Sequence, residues 1–415
     1  EAQYDQALAG TPGRLVSEQG LNGRSIPEGE RESLPAVDGA DVRLTIDRAL
    51  QFEVERAQRE RVAASGGKGG TAIITDPTTG EVLAMTSVAA TEVGDVVTTS
   101  DNRSLTWTYE PASVMKAVTF AAVLDQGIAR PNSARTVHDT IELYEETFTD
   151  DLLYGSKIMS VTDILVQSSN TGTISWAQDL GQETFFDYLR DFGFGSPTGL
   201  DFPGESPGIL EDVEGWPGTH IATIAIGQSI AVTPMQMLAA YNAIANDGVY
   251  VPPTLVSSVG TEGDADGDDA EPVDVQGARR VIQSKTANDV SAMLARVAAG
   301  GTAKRAQVPG YSIAAKTGTA RKVQESGGYR DAAGNFHYIA TVAGFFPAED
   351  PQLSMIVIID EPSTEIYASR VAAPLFGELA AWALRHYRVS PAGDVVFSGG
   401  SDLAAIGADA TGGAD

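Results

Sequence analysis

The feature that most limits the fold is where the strand-forming segments lie along the chain. Two β-rich runs, Thr71–Thr75 and Val82–Val88, stand early and are joined by Asp76-Pro77-Thr78-Thr79-Gly80, a hairpin signal. Three more, Tyr311–Thr317, Tyr338–Phe346 and Leu353–Ile359, stand late. Between them the patterns are mostly helical: one helix from near Ser113 to Leu124 with Gly127 just past its end, then Val161–Leu180, Glu183–Asp191, Pro234–Ala245 and Ser284–Ala299. Val42–Ile46 reads as a short strand before a helix that Asp47 caps, running to about Ala64 with Leu50, Val54 and Ala57 on one face. Ser65–Gly70 breaks that helix, and a final one spans roughly Ala368–Tyr387. A hairpin, then helices, then three strands and a helix predicts a mixed sheet sandwiched with helices around an all-helical insertion, an α/β (α+β) mixed class. No internal repeat is visible.

The flanks carry little periodicity. Residues 1–40 are rich in Gly, Pro and charge and read as an extended linker or the remnant of a pedestal. Residues 261–274 hold seven Asp/Glu and no Lys or Arg, which predicts a solvated surface loop. Residues 393–415, rich in Gly, Ala and Asp, read as a loose tail. The expected divisions are therefore 1–40, a main domain over 41–390, and a flexible acidic tail over 391–415.

The formal charge of −28, with seven Lys among 28 basic residues, repels nucleic acid and anionic lipid heads unless a local basic patch offsets it. No such patch is found, so no nucleic-acid partner is expected. With no cysteine, disulfides, thiolate catalysis and Cys-based metal sites are excluded. No stretch approaches the ~20 apolar residues that span a bilayer; the richest run, Ala222–Val232, is interrupted by Gly227, Gln228 and Ser229. The sequence opens at Glu1 without a Met-initiated signal peptide, and an upstream segment is expected to have been removed.

Three short motifs carry chemistry: Ser113-Val114-Met115-Lys116, Ser168-Ser169-Asn170 and Lys316-Thr317-Gly318-Thr319. A serine at a helix start places its Oγ beside unpaired N–H groups and the positive end of the macrodipole. A lysine three residues on lies on the same face. Free lysine titrates near ~10.4 and is a poor base at neutral pH, but burial beside other cations lowers it by up to ~3–5 units. A Ser–Lys pair can then do what Ser–His does elsewhere. Ser168 supplies a hydroxyl for a proton relay, and Asn170 an amide to orient Lys116 or a substrate backbone. Lys316 adds positive charge, Gly318 lets substrate approach the strand, and Thr317 and Thr319 offer hydroxyls to a carboxylate. A substrate peptide could lie along that strand by β-augmentation.

S-x-x-K alone is weak, since about 0.5 matches are expected by chance from 29 Ser and seven Lys. A second one, Ser65-Gly66-Gly67-Lys68, sits in a glycine-rich break with no helix to organise it. Ser100-Asp101-Asn102 precedes the Ser113 motif in a loop-like stretch and reads as a turn. Gly227-Gln228-Ser229-Ile230-Ala231 lacks the final Gly of a nucleophile elbow and reads as a packed turn, and the four His are scattered. Taken singly, Ser113 with Lys116 would be a helix cap and a surface lysine, Ser168 and Asn170 a cap between two helices, and Lys316–Thr319 an edge strand followed by a turn. The ordered triple argues against all three at once. It resembles the S-x-x-K, S-D-N and K-T-G set of penicillin-binding proteins and class A β-lactamases.

The resemblance extends through Gly39–Leu50, Lys68–Ser87, Tyr109–Phe120, Ile226–Tyr241 and Ala314–Lys322, and is to class B penicillin-binding proteins, monofunctional transpeptidases, and within them to the cell-division branch. It covers about residues 40–385, and residues 4–36 resemble the end of the family's non-catalytic pedestal. It implies a mainly antiparallel sheet flanked by helices with an all-helical subdomain. It further implies Ser113 as acylated nucleophile, Lys116 as its base, and Ser168 with Asn170 as second element. Lys316, Thr317 and Thr319, with Gly318, would bind the substrate carboxylate, and the backbone N–H groups of Ser113 and Thr319 would form the oxyanion hole. No metal or organic cofactor is implied. The implied partners are stem peptides ending in D-Ala-D-Ala, β-lactams, a membrane glycosyltransferase and other cell-division proteins, at the outer face of the cell membrane on an anchor absent from this chain. Septal wall synthesis rests on this resemblance alone. One departure is Ala112, where the family often has Gly; a methyl there is tolerable if φ is negative. The rival readings are a D,D-carboxypeptidase or β-lactamase on the same fold, with water replacing the acceptor amine, and a non-catalytic β-lactam sensor or division scaffold.

Overall fold

A computed structural model describes residues 2–144, 146–260, 277–324 and 327–391. The acidic segment 261–274 and the tail 393–415 lie outside the described residues. The centre is a six-stranded sheet made of β1 (Gly69–Thr75), β2 (Val82–Ala90), β3 (Val96–Thr98), β4 (Ala314–Arg321), β5 (Tyr338–Phe346) and β6 (Leu353–Asp360). Its order is β4-β5-β6-β1-β2-β3, and every neighbouring pair is antiparallel. The sheet is thus antiparallel as the resemblance implies, and simpler than the mixed sheet read from element order. An early and a late strand of the chain meet at its middle, where β6 pairs with β1. All of Leu353–Asp360 is buried, so both faces of the sheet are covered there.

The α-helices of seven residues or more among the described residues are α1 (Arg48–Ser65), α2 (Lys116–Asp125), α3 (Val161–Gln167), α4 (Asn170–Leu180), α5 (Gln182–Asp191), α6 (Pro234–Ala245), α7 (Ser284–Gly300) and α8 (Ala368–His386). α1 and α8 pack on each other and on the sheet, α6 covers β1, β5 and β6, and α7 runs against β4. Asp47 caps α1 by accepting from the N–H groups of Ala49 and Leu50, and Leu50, Val54 and Ala57 turn inward. Gly66, at φ +60°, ends it. In the β1–β2 turn Asp76 Oδ1 accepts from the N–H groups of Thr78 and Thr79.

Three expectations need correction. The insertion is not wholly helical: Ala134–His138 pairs with Ser156–Ser160, and Thr140–Leu143 with Glu146–Thr149. Strands of four or five residues are too short to register against neighbouring helical periodicity. The pattern over Val161–Leu180 is two helices, because Ser168 takes φ +60° and Ser169 is extended, its hydroxyl capping α4 by accepting from Gly172 N–H. β4 begins at Ala314, since Tyr311 N–H turns back to Val308 O, and it continues through Gly318, paired with Thr341. Within residues 1–40, Arg14–Ser17 pairs with Arg31–Leu34 in a small, largely exposed hairpin. No helix of the described residues is long and apolar enough to cross a membrane.

Candidate active site

The Ser113 motif starts in a 3₁₀ turn, Ala112–Met115, which passes directly into α2 at Lys116. Side chains three apart eclipse in a 3₁₀ turn, so Ser113 and Lys116 share one side more strictly than on an α-helix. Several bonds hold the turn. Ala112 N–H donates to Gly227 O (2.9 Å), the Tyr241 hydroxyl donates to Val114 O (2.9 Å), and Thr119 ties α2 to Ala225 O (2.8 Å). Gly227, at φ +81°, is required here, because a Cβ would stand 2.1 Å from Ala112 O. Ala112 has φ +50°, so the condition of a negative φ is not met: its methyl group is carried in the left-handed region, which costs about 1–2 kcal/mol for a non-glycine residue. Ser113 is half-buried and Lys116 fully buried.

The helix break at Ser168-Ser169 and strand β4 converge on Lys116. Its Nζ donates to Ser168 O and to Asn170 Oδ1, both at 2.7 Å, with Ser168 Oγ at 3.4 Å. Lys316, also fully buried, donates to the same Ser168 Oγ (2.9 Å) and to Thr317 O (3.0 Å). One hydroxyl is therefore within reach of two lysines. Burial brings Lys116 down to about 7 against the opposing charges of Asp150 and Asp151. Lys316 is pushed well below the usual lysine range, first by burial and then by the neighbouring Lys116 charge. Ser113 Oγ, by contrast, takes part in none of these bonds; the 3₁₀ turn sets it on the same side as Lys116.

Strand β4 forms one end of the sheet, and the whole Lys316–Thr319 segment lies inside it. Gly318 faces the Ser113 turn: a Cβ there would meet Pro111 O at 2.7 Å and Val114 N at 3.2 Å. The glycine thus admits the turn. Thr317 and Thr319 flank it on β4. Thr317 Oγ1 donates to Thr302 Oγ1 (2.7 Å), and Thr319 Oγ1 accepts from Ala368 N–H at the start of α8 (3.1 Å), leaving its own hydrogen available.

Three further residues at the site escaped sequence reading. Asp150, 8 % exposed, accepts from Asn170 N–H and from the Ser169 hydroxyl. Thr302 partners Thr317. Glu110 accepts from Ser229 N–H (2.8 Å) and from the Tyr329 hydroxyl, so it joins the approach to Ser113 with two loops. Only Glu110, three residues before Ser113, lay near enough to a motif to be noticed. The rejected matches behave as structure: Lys68 pairs with Glu361 (2.9 Å), and Asp101 bonds within its own turn to Thr106. Among the described residues no group of three or more His, Asp or Glu could hold a metal ion.

Comparison with known proteins agrees with this geometry. The family model described as the penicillin binding protein transpeptidase domain matches residues 70–381. Penicillin-binding protein PbpB of Mycolicibacterium smegmatis is 35 % identical over 404 residues, covering 94 % of this chain and 61 % of that protein. Peptidoglycan D,D-transpeptidase FtsI of Escherichia coli K12 is 30 % identical over 400 residues, covering 94 % and 63 %. The crystal structure of penicillin binding protein 3 from Mycobacterium tuberculosis, complexed with aztreonam, superposes with a TM-score of 0.77 at 29 % identity, covering 91 % of this chain and 89 % of that one. The chain spans about three-fifths of the length of these curated relatives.

Proposed function

The chain belongs to the penicillin-binding protein transpeptidase family, and from that premise we propose that it is a peptidoglycan D,D-transpeptidase working through an acyl-enzyme on Ser113. The observation that carries the reading is the setting of Lys116. A neutral lysine amine has two N–H donors and one lone pair. Two oxygens at 2.7 Å, Ser168 O and Asn170 Oδ1, take the two donors and leave the lone pair for the proton of Ser113 on the same side of the turn.

In this reading Ser113 Oγ attacks the carbonyl of the penultimate D-Ala while its proton passes to Lys116. The carbonyl oxygen becomes an oxyanion held by the backbone N–H groups of Ser113 and Thr319, each such donor being typically worth ~10²–10³ in rate. The intermediate collapses, the C–N bond breaks, and the terminal D-Ala leaves with a proton that Lys116 returns by way of Ser168. An amine of a neighbouring stem peptide then attacks the ester, forms the cross-link amide and frees Ser113. Lys316, donating to Ser168 Oγ, would with Thr317 and Thr319 receive the terminal carboxylate. The stem peptide would add to the outer edge of β4. A β-lactam would enter the first step, but its leaving nitrogen stays tethered to the acyl group and blocks the acceptor.

Residues 41–390 would form the catalytic unit and residues 1–40 the end of a pedestal, working at the outer face of the cell membrane in septal synthesis beside a glycosyltransferase. A donor peptide ending in D-Ala-D-Ala, incubated with an amine acceptor, tests the reaction class. An amide-linked product with released D-Ala supports the transpeptidase. Free acid alone makes the chain a carboxypeptidase, and turnover of a chromogenic cephalosporin makes it a β-lactamase.

A further inference from the structure

We propose that Asp150 is the positioning residue of the second motif, clamping the break between α3 and α4 so that the Ser168 carbonyl and the Asn170 amide oxygen face Lys116. The proposal rests on the reading of Lys116 as the base for Ser113.

Asp150 directly follows the short strand Glu146–Thr149 and is nearly fully buried. A buried carboxylate is tolerated when its lone pairs are occupied. Here Oδ1 accepts from the N–H groups of Asn170 (2.6 Å) and Thr171 (3.0 Å), the first two residues of α4. Oδ2 accepts from the hydroxyls of Ser169 (2.6 Å) and Tyr154 (2.7 Å). Next to it, Thr149 O accepts from Asn170 Nδ2 (3.0 Å). An amide whose nitrogen is engaged on one side must present its oxygen on the other, and that oxygen is the one 2.7 Å from Lys116 Nζ. Thr149 and Asp150 therefore decide which end of the Asn170 amide Lys116 meets, and they hold open the left-handed step at Ser168 that aims its carbonyl.

Asp150 acts on Lys116 by charge as well. The charged groups around Lys116 are Lys316 on β4 and Asp150 and Asp151 on the hairpin side, and the two carboxylates favour the ammonium form. Asp151 is exposed and, among the described residues, takes no bond from the motif, so it exerts charge without clamping.

The two effects separate in the pH profile of acylation by a fluorescent penicillin, measured on the full chain. Asp150→Asn should lower the plateau rate by about tenfold or more, as misplaced catalytic groups do, and move the acid limb to lower pH. Asp151→Asn should move the limb in the same direction and leave the plateau unchanged. Should Asp150→Asn fail to fold, Tyr154→Phe keeps the charge and removes one clamp donor, and it should lower the plateau with the limb in place. Asp150→Asn behaving like Asp151→Asn, or an unchanged plateau in Tyr154→Phe where the first variant does not fold, overturns the proposal. A parent chain that is not acylated at all overturns the function reading and this one together.

Discussion

Gly318 and Pro111 lie backbone against backbone: a methyl group at position 318 would stand 2.7 Å from the Pro111 carbonyl oxygen and 3.2 Å from Val114 N. The atoms in the way belong to main chain on both counts, so no side-chain rotation relieves the clash. Gly318→Ala should push β4 away from the Ser113 turn. The expected result is acylation slowed by about 10²-fold, since displacements near 1 Å cost that much, with a fold that still melts cooperatively. Rates and melting curves read side by side check it.

Ala112 carries its methyl group at φ +50°. Replacing it by glycine removes strain of about 1–2 kcal/mol, against the usual loss of backbone entropy. In α2, Ala117 is buried and helical, and glycine there has no strain to relieve. Ala112→Gly should therefore cost at least about 1 kcal/mol less than Ala117→Gly in urea unfolding. Equal losses would show that the turn relaxes to suit alanine.

Lys116 is held near 7 by burial. Acylation should fall about tenfold per pH unit below that point, because only the neutral amine takes the serine proton. The stability consequence has a definite sign. The unfolded lysine binds its proton up to its model value of 10.5, the folded one only to about 7, so the unfolded state holds more protons between those values. Relative to Lys116→Met, the parent chain should gain stability as pH rises through that window and show no slope from this group below it. Denaturant titrations of both chains at several pH values measure the difference.

The Tyr241 hydroxyl is buried and donates to Val114 O, inside the nucleophile turn. Tyr241→Phe keeps the ring packing and leaves a buried carbonyl short of a donor, at about 1–3 kcal/mol. It should lower both the melting temperature and the acylation rate, whereas a surface tyrosine such as Tyr144 should change neither by comparable substitution.

What was legible in the sequence follows from range. The β1–β2 hairpin, the Asp47 cap and the three motifs are written in residues a few positions apart, where turn chemistry, capping and periodicity act. The break between α3 and α4 was hidden because apolar spacing runs through it; only the backbone angle of Ser168 and the pull of Asp150 interrupt the helix. Asp150 itself directly follows a strand too short to announce itself. The positive φ of Ala112 is imposed by Gly227 and Tyr241, far along the chain. The contact of Gly318 with the Ser113 turn was hidden for the same reason, since the two meet only in three dimensions.

The central claim is that Ser113 is acylated. The full chain and Ser113→Ala, each incubated with benzylpenicillin, should differ in intact mass by one stable penicilloyl adduct, present on the parent and missing from the variant. An unmodified parent with intact drug, or an adduct that survives in Ser113→Ala, would contradict the account.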